Sequence, residues 1–460
     1  MTSNDTSAVL ARAEAQFDET VARLTDYLRH AAISSDAAHH PEVERLADRI
    51  ASDLAALGFD NARVLRLPGA LPTVAAERIR QPGKPVVLIY GHLDLQPVKG
   101  EPWTTPPHEA TRKGDRLYAR GASDDMGGWV SHLAAMKAWI ETAGELPLNV
   151  KLIIEGEEEI GSPNLERYMD TYPEAFQSDV MILTDCENPS TEIPGLTVSL
   201  RGLCEVELVC EAIASDVHSG LWGNIVPDVS TALVKLLSRL VDDDGRFALG
   251  RMEVPEAWRQ DAAKVPLTDD VIRVAAHLIE GVDPLPPRGR PHAEWVWRQP
   301  AITVLTTTLP TPDRQKNALR AKASATLSVR LAPGQNHEQI KGLLENAIFS
   351  EPAPGGVKVS LVDKPGGAES WLYTPKGPAF AAADRAYTQI WGRPLLQIGV
   401  GGSIPFVALF GRRYSDLPLI LNGVMDPESG AHGPNESLHL GVFRKCILTN
   451  ALLYAELAAL

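Results

Sequence analysis

Cysteine is scarce in this chain. There are four in 460 residues, Cys186, Cys204, Cys210 and Cys446, and no two form a CxxC pair. A chain of this length needs no disulfide staples, so buried free thiols in a reducing compartment are expected. Long apolar runs are missing too, and no segment approaches the length needed to cross a bilayer. The opening residues, Met1 to Thr6, lack a basic region followed by an apolar stretch, and the expected location is the cytoplasm. Positive charge is in deficit: 44 Lys and Arg face 59 Asp and Glu, a formal net charge of −15. Such a surface repels phosphate backbones and anionic membranes, which argues against nucleic-acid and membrane partners. Neither an internal repeat nor a long low-complexity tract is present. Gly399-Val400-Gly401-Gly402 is not followed by the Lys-Ser/Thr of a phosphate-binding loop. A Gly-x-Ser-x-Gly nucleophile elbow in the proper setting is also lacking.

What remains is an ordinary globular composition, 44% hydrophobic and 22% charged, long enough for two domains or one large one. Apolar residues recur at helical spacing over residues 8–30 and 43–57. Short continuous apolar runs at 85–90, 150–154, 180–183 and 417–421 read as strands covered on both faces, with helix-like stretches such as 129–142 between them. That alternation predicts an α/β fold with a mixed, largely parallel sheet wrapped by helices, closed by a helix over 440–460. The middle of the chain differs. Residues 205–210, 301–307 and 323–331 resemble strands, with helical stretches at 229–240 and 337–348 between them. Residues 242–300, rich in Pro, Gly and charge, read as a loop or decorated insertion. The expected layout is a first part over 1–200, an inserted α+β domain over 201–372, and a return to the main sheet over 373–460, near 378–391.

Five motifs carry candidate chemistry. Tyr90-Gly91-His92-Leu93-Asp94 follows a buried strand, at the end of a sheet where ligands collect; an Asp two residues on can hold the second imidazole nitrogen. Alone, Asp94 serves equally as a turn or capping residue. Asp124 and Asp125, flanked by Gly121, Gly127 and Gly128, suit either a helix N-cap or a carboxylate bridging two cations. Glu155, Glu157, Glu158 and Glu159 crowd the end of another strand, and like charges there repel unless cations or solvent relieve them. Asp185 sits at a further strand end, and His432 in a Gly/Pro-rich loop. Jointly these supply two histidines and at least three carboxylates around one sheet, a donor set that suits Zn²⁺ and also accommodates Mn²⁺ or Co²⁺.

From Tyr90 to Glu436 the order and spacing of these motifs resemble the two-zinc peptidase family of cytosolic nonspecific dipeptidase (carnosinase), acetylornithine deacetylase and succinyl-diaminopimelate desuccinylase. Gly91 to Val98 is most similar to the dipeptidase branch. The resemblance implies a zinc-peptidase-like catalytic domain carrying a lid and dimerisation domain. It implies two metal ions held by His92, Asp124, Glu159, Asp185 and His432, with Asp124 bridging across an Asp124–Asp125 bond expected to be cis. Asp94 would orient His92 and Glu158 would act as general base. In the lid, His218 resembles a residue that reaches the partner subunit's active site in a homodimer, with Asn317 beside it, Arg330 on the substrate carboxylate, and Ser403 as a further substrate contact. The implied reaction is hydrolysis of an amide bond in a dipeptide-like substrate. One departure stands out: Val400 occupies a position where this branch usually carries an acid. N-acyl amino-acid deacylation or desuccinylation with the same metals is the alternative, and a noncatalytic metal-binding relative is the third reading.

Overall fold

The computed structural model describes residues 3–402, 404–414 and 417–460. Its central sheet has six strands in the order Asp60–Leu65, Thr73–Arg78, Asn149–Glu155, Val86–His92, Val180–Leu183, Leu419–Leu421. The last four run parallel, and the two strands at the other edge pair antiparallel. The predicted mixed, largely parallel sheet is therefore present. Strand periodicity explains why these segments are apolar throughout. Val87 and Ile89 enter one hydrophobic core while Leu88 and Tyr90 enter another on the opposite face, and Leu152 and Ile154 alternate with Ile153 in the same way.

Helices Ser3–Ala15, Met126–Ala143, Pro378–Trp391 and Leu440–Ala458 cover the first face, packing Trp129, Trp139, Phe443 and Tyr454 into its core. The second face is covered by Leu165–Thr171, Pro173–Phe176 and Pro405–Arg413, through Tyr168, Phe176, Phe406 and Phe410. The helical periodicity over 8–30 resolves into two helices, Ser3–Ala15 and Phe17–Leu28, broken at Gln16. Among the described residues no helix is long and apolar enough to cross a membrane.

Residues 202–363 build a four-stranded antiparallel sheet in the order Ala301–Thr307, Lys322–Leu331, Gly202–Glu211, Lys358–Asp363. Its alternating strands point Cys204, Val206, Leu208, Leu327 and Val329 at helices Val229–Ser238 and His337–Phe349, which gives this layer its own core. The second helix is fixed at its start by Asn336 and Gln339, which bond each other's backbone N–H in a capping box. The segment 242–300 is more ordered than a loop. It holds three seven-residue helices, Glu256–Ala262, Asp269–Ala275 and His292–Arg298. Trp258, Ala262, Ala293 and Trp297 pack there against Leu396 and Ile398 of a neighbouring strand. Helices this short carry too little periodicity to be read from a Pro-rich sequence. Leu233 is fully buried in the core of the four-stranded layer, so Leu233→Ala should cost about 2–5 kcal/mol in urea unfolding.

Candidate active site

The carboxyl ends of the parallel strands converge. His92 lies opposite Glu155 in the ladder, Tyr90 opposite Leu183, and Thr184 N–H donates to Tyr90 O, so the residues just beyond each strand share one mouth. There His92 Nε2 is 3.0 Å from Asp124 Oδ1 and 3.9 Å from Asp185 Oδ2. The other oxygen of Asp124 is 3.1 Å from His432 Nε2, which in turn is 3.2 Å from Glu159 Oε2. Two donor groups result, His92–Asp124–Asp185 and Asp124–Glu159–His432, each with ligand atoms within 4.8 Å of one another and both using Asp124. One carboxylate shared between two imidazole-and-carboxylate groups fits a pair of divalent cations.

The electrostatics describe the same demand. Burial, reinforced by Asp124 and neighbouring acids, raises the carboxyl pKa of Asp185 well above normal. Burial and the charges of Glu159, Asp124 and Asp94 do the same to Glu158 despite His92. His432 is raised to about 11 by its contacts with Asp124 and Glu159, against burial. At His92 burial opposes the charged form, but Asp124, Asp94, Glu158 and Asp185 together overcome it and raise the pKa. The cluster thus crowds acids together out of water, an arrangement that bound cations would relieve.

A second set of carboxylates holds the first in place. Asp94 accepts the backbone N–H of Glu158 (3.1 Å) and Glu159 (3.0 Å), which pins the turn bearing both side chains. The second nitrogen of His92 meets the backbone carbonyl of Asp94 at 3.0 Å, while the Asp94 carboxylate is 3.6 Å away, so orientation comes chiefly from the main chain. Glu157 turns from the cluster: it accepts Leu71 N–H at 2.8 Å and the amide of Asn164. That leaves Glu159 in the cluster and Glu158 beside it with no side-chain hydrogen bond among the described residues. The Asp124–Asp125 bond is cis. Asp125 is the N-cap residue by position, yet its side chain does not cap the helix; it accepts Thr184 Oγ1 at 2.6 Å and His92 N–H at 3.3 Å. Gly128 makes room for it, since a β-carbon there would lie 2.0 Å from Asp125 Oδ1.

Sequence reasoning missed two residues. The carboxylate of Glu436 is fully buried and accepts the N–H groups of Gly121, Ser123 and Asp124 at 3.0–3.1 Å, with Arg120 Nη1 at 3.0 Å. Gln96 donates to Glu159 Oε2 at 2.7 Å. Each lies within a motif already singled out, Gln96 in Gly91 to Val98 and Glu436 at the end of the His432 loop, but nothing in composition marks such a supporting role.

Among the described residues, those expected in a lid form no hydrogen bond or ion pair with this cluster. His218 and Asn317 are brought together on a two-stranded ribbon, where Val217–His218 pairs with Ala318–Leu319 and Ser219 N–H donates to Asn317 O. Both side chains are exposed. Arg330 is half-buried on the strand Lys322–Leu331. Ser403 lies outside the described residues.

The description "Peptidase family M20/M25/M40" matches residues 88–456. A cysteinylglycine-S-conjugate dipeptidase of Corynebacterium striatum is 30% identical over 420 residues, which span 90% of each chain. Human Beta-Ala-His dipeptidase is 28% identical over 443 residues, 91% of this chain and 83% of that one. The structure of the di-peptidase Dug1p from Saccharomyces cerevisiae superposes with a TM-score of 0.77 at 22% identity, covering 100% of both chains.

Two measurements probe the geometry. Adding zinc or manganese to chelator-stripped protein should raise the unfolding temperature, with stabilisation of about 2.7 kcal/mol at a hundredfold excess over the dissociation constant; Asp124→Asn should abolish that rise. Glu436→Ala leaves Arg120 short of one buried partner and three N–H groups unsatisfied. It should lower stability by about 3 kcal/mol or more in denaturant unfolding.

Proposed function

The chain belongs to peptidase family M20/M25/M40, and on that premise we propose that it is a metal-dependent dipeptidase that hydrolyses the peptide bond of dipeptide-like substrates. The observation that carries this reading is the pair of donor groups sharing Asp124. The proposed ligands are His92, Asp124 and Asp185 at one position and Asp124, Glu159 and His432 at the other. Their mixture of imidazole and carboxylate favours zinc, with manganese or cobalt acceptable to the same donors. Bound divalent cations would polarise the scissile carbonyl and lower the pKa of a water molecule.

The residues of the chain divide the remaining work. Glu158, unpartnered and beside the cluster, takes a proton from the attacking water and returns it to the leaving amine, acting as base and then acid. Asp94 keeps Glu158 at its post through the backbone N–H. His218 is the proposed oxyanion donor. Its Nδ1 accepts Gly220 N–H at 3.1 Å, which leaves the proton on Nε2, available to a developing negative charge. Asn317 joins it, Arg330 clamps the substrate carboxylate with its guanidinium fork, and Ser403 completes the substrate contacts.

Because His218 and Asn317 are exposed and, among the described residues, unbonded to the cluster, the reading places them in the active site of a second copy in a homodimer. The surroundings support that role. Leu221, Trp222 and Ile225 are exposed just after His218, and the edge strand Ala301–Thr307 exposes Val304 and Leu305. We divide the chain into a catalytic domain over 1–200 and 373–460 and a lid and dimerisation domain over 201–372, which is supported by the separate core of the antiparallel layer. A cytoplasmic location is supported by four buried cysteines, none of them paired.

Val400 favours a second reading, N-acyl amino-acid deacylation. An apolar side chain packed at the second-face core stands where an acid would receive a substrate amine. Assays with α-aminoacyl and β-alanyl dipeptides against N-acyl amino acids separate the two, and higher kcat/KM for the dipeptides is the expected result.

Glu158→Gln should retain bound metal while turnover falls by at least about 10²-fold; near-normal turnover removes Glu158 from the mechanism. His218→Ala should also lose turnover with metal retained. Mixing inactive His218→Ala and Glu158→Gln subunits should restore activity if His218 serves its partner, and mixtures that stay inactive refute the exchange across subunits.

A further inference from the structure

Most buried or half-buried arginines in this chain face carboxylates: Arg78 with Glu145, Arg116 with Asp426, Arg120 with Glu101 and Glu436, Arg259 with Glu294. Arg298, which lacks an acid, stacks on the Trp258 ring at 4.4 Å. Arg201 and Arg330 have neither kind of compensation. Both are half-buried, and among the described residues neither forms an ion pair or lies over an aromatic ring. They are close in the fold: Leu203, two residues past Arg201, is the ladder partner of Arg330.

Arg201 sits where three parts of the chain meet. Its N–H donates to Val400 O at 3.3 Å, its Nε to Gly401 O at 2.8 Å, and its Nη1 to Gln299 O at 3.4 Å, just before the strand Ala301–Thr307 that pairs with Arg330. These acceptors are neutral carbonyls, so they orient the guanidinium without neutralising it. Nη2 has no hydrogen bond among the described residues, and it lies 3.1 Å from the point a β-carbon on Gly401 would occupy. The missing side chain at Gly401 thus leaves room for that nitrogen, with Val296 Cγ1 3.0 Å from the same point. Burial and the charge of Arg330 depress the Arg201 pKa to about 10, and no acid acts in the opposite direction. Two like charges partly withdrawn from water are unfavourable unless an anion joins them.

We propose that Arg201 is a second cation of the carboxylate seat: its free Nη2 and the Arg330 guanidinium together hold the free carboxylate of the substrate, and Gly401 and Gln299 carbonyls fix its aim. This rests on the dipeptidase reading for the identity of the substrate. It adds a specificity determinant, since a planar fork held at the junction of the antiparallel layer and the Gly401 loop selects ligands ending in a carboxylate over their amides.

Steady-state kinetics with a dipeptide and its C-terminal amide test the assignment on metal-loaded protein. Arg201→Gln should raise KM for the acid by about 10-fold, from the loss of one charge-assisted hydrogen bond. Its kcat should change little and the loss on the uncharged amide should be clearly smaller, so the acid-to-amide ratio of kcat/KM falls. Equal losses on acid and amide, or an unchanged ratio, overturn the proposal and reduce Arg201 to a structural role. If Arg201→Gln does not fold, Arg201→Lys decides, because it keeps the charge and loses the fork. A lowered ratio then supports the assignment and an unchanged one overturns it. Wild-type protein that cleaves no dipeptide refutes the dipeptidase reading instead. Calorimetric binding of N-acetylglycine against N-acetylglycinamide then tests Arg201 independently: discrimination lost in the variant supports the seat, and discrimination retained overturns it.

Discussion

Repulsion among carboxylates at the mouth of a parallel sheet is the constraint on which this molecule depends. Asp124, Glu158, Glu159 and Asp185 are brought together by strand ends fixed by register and by the loop before helix Met126–Ala143. Among the described residues the imidazoles of His92 and His432 are the basic side chains that contact Asp124, Glu159 and Asp185. Such a cluster is unfavourable in a buried setting unless positive charge is supplied. The fold tolerates it by making each backbone segment rigid from outside. The sheet places the strand ends, two helix-covered faces lock the sheet, and neighbouring polar groups set the turns that carry the ligands.

Those supporting groups are themselves largely acids. Asp94 binds the N–H groups of Glu158 and Glu159, Asp125 binds Thr184 and the N–H of His92, and Glu436 binds three N–H groups of the loop carrying Asp124. A carboxylate is well suited to this task because its two oxygens accept several N–H donors at once. The division of labour is geometric. Acids aimed at backbone donors fix the loops, and acids aimed at one another and at the imidazoles form the cluster proposed to receive cations. Neighbouring residues in sequence take opposite parts, as Asp124 and Asp125 do, or Glu157 and Glu159.

The sheet and the gathering of candidate donors at its mouth were legible because both are written locally. Continuous apolar runs such as 86–90 and 180–183 announce strands buried on two faces, and His92, Asp124, Asp185 and His432 each follow a strand or lie in a Gly-rich loop. The acidic stretch 155–159 could be apportioned only by resemblance, since its outcome depends on Leu71 and Asn164, which are distant or unremarked in sequence. Glu436, Gln96 and Arg201 escaped notice for the same reason: their partners are set by chain closure. The helices within 242–300 were hidden by their length, since seven residues make barely two turns, and by tryptophans whose burial depends on a strand about a hundred residues later.

His432 differs from the other imidazole in its exposure. Its side chain is 60% exposed, in a turn with φ of 62°, whereas His92 is fully enclosed. The two positions around Asp124 are therefore unequal in their access to solvent. One is built into the interior; the other has a door made of a single residue on a surface turn. An ion behind that door would exchange with its surroundings sooner than its neighbour, so partial depletion would leave a population of half-filled centres before any emptied ones.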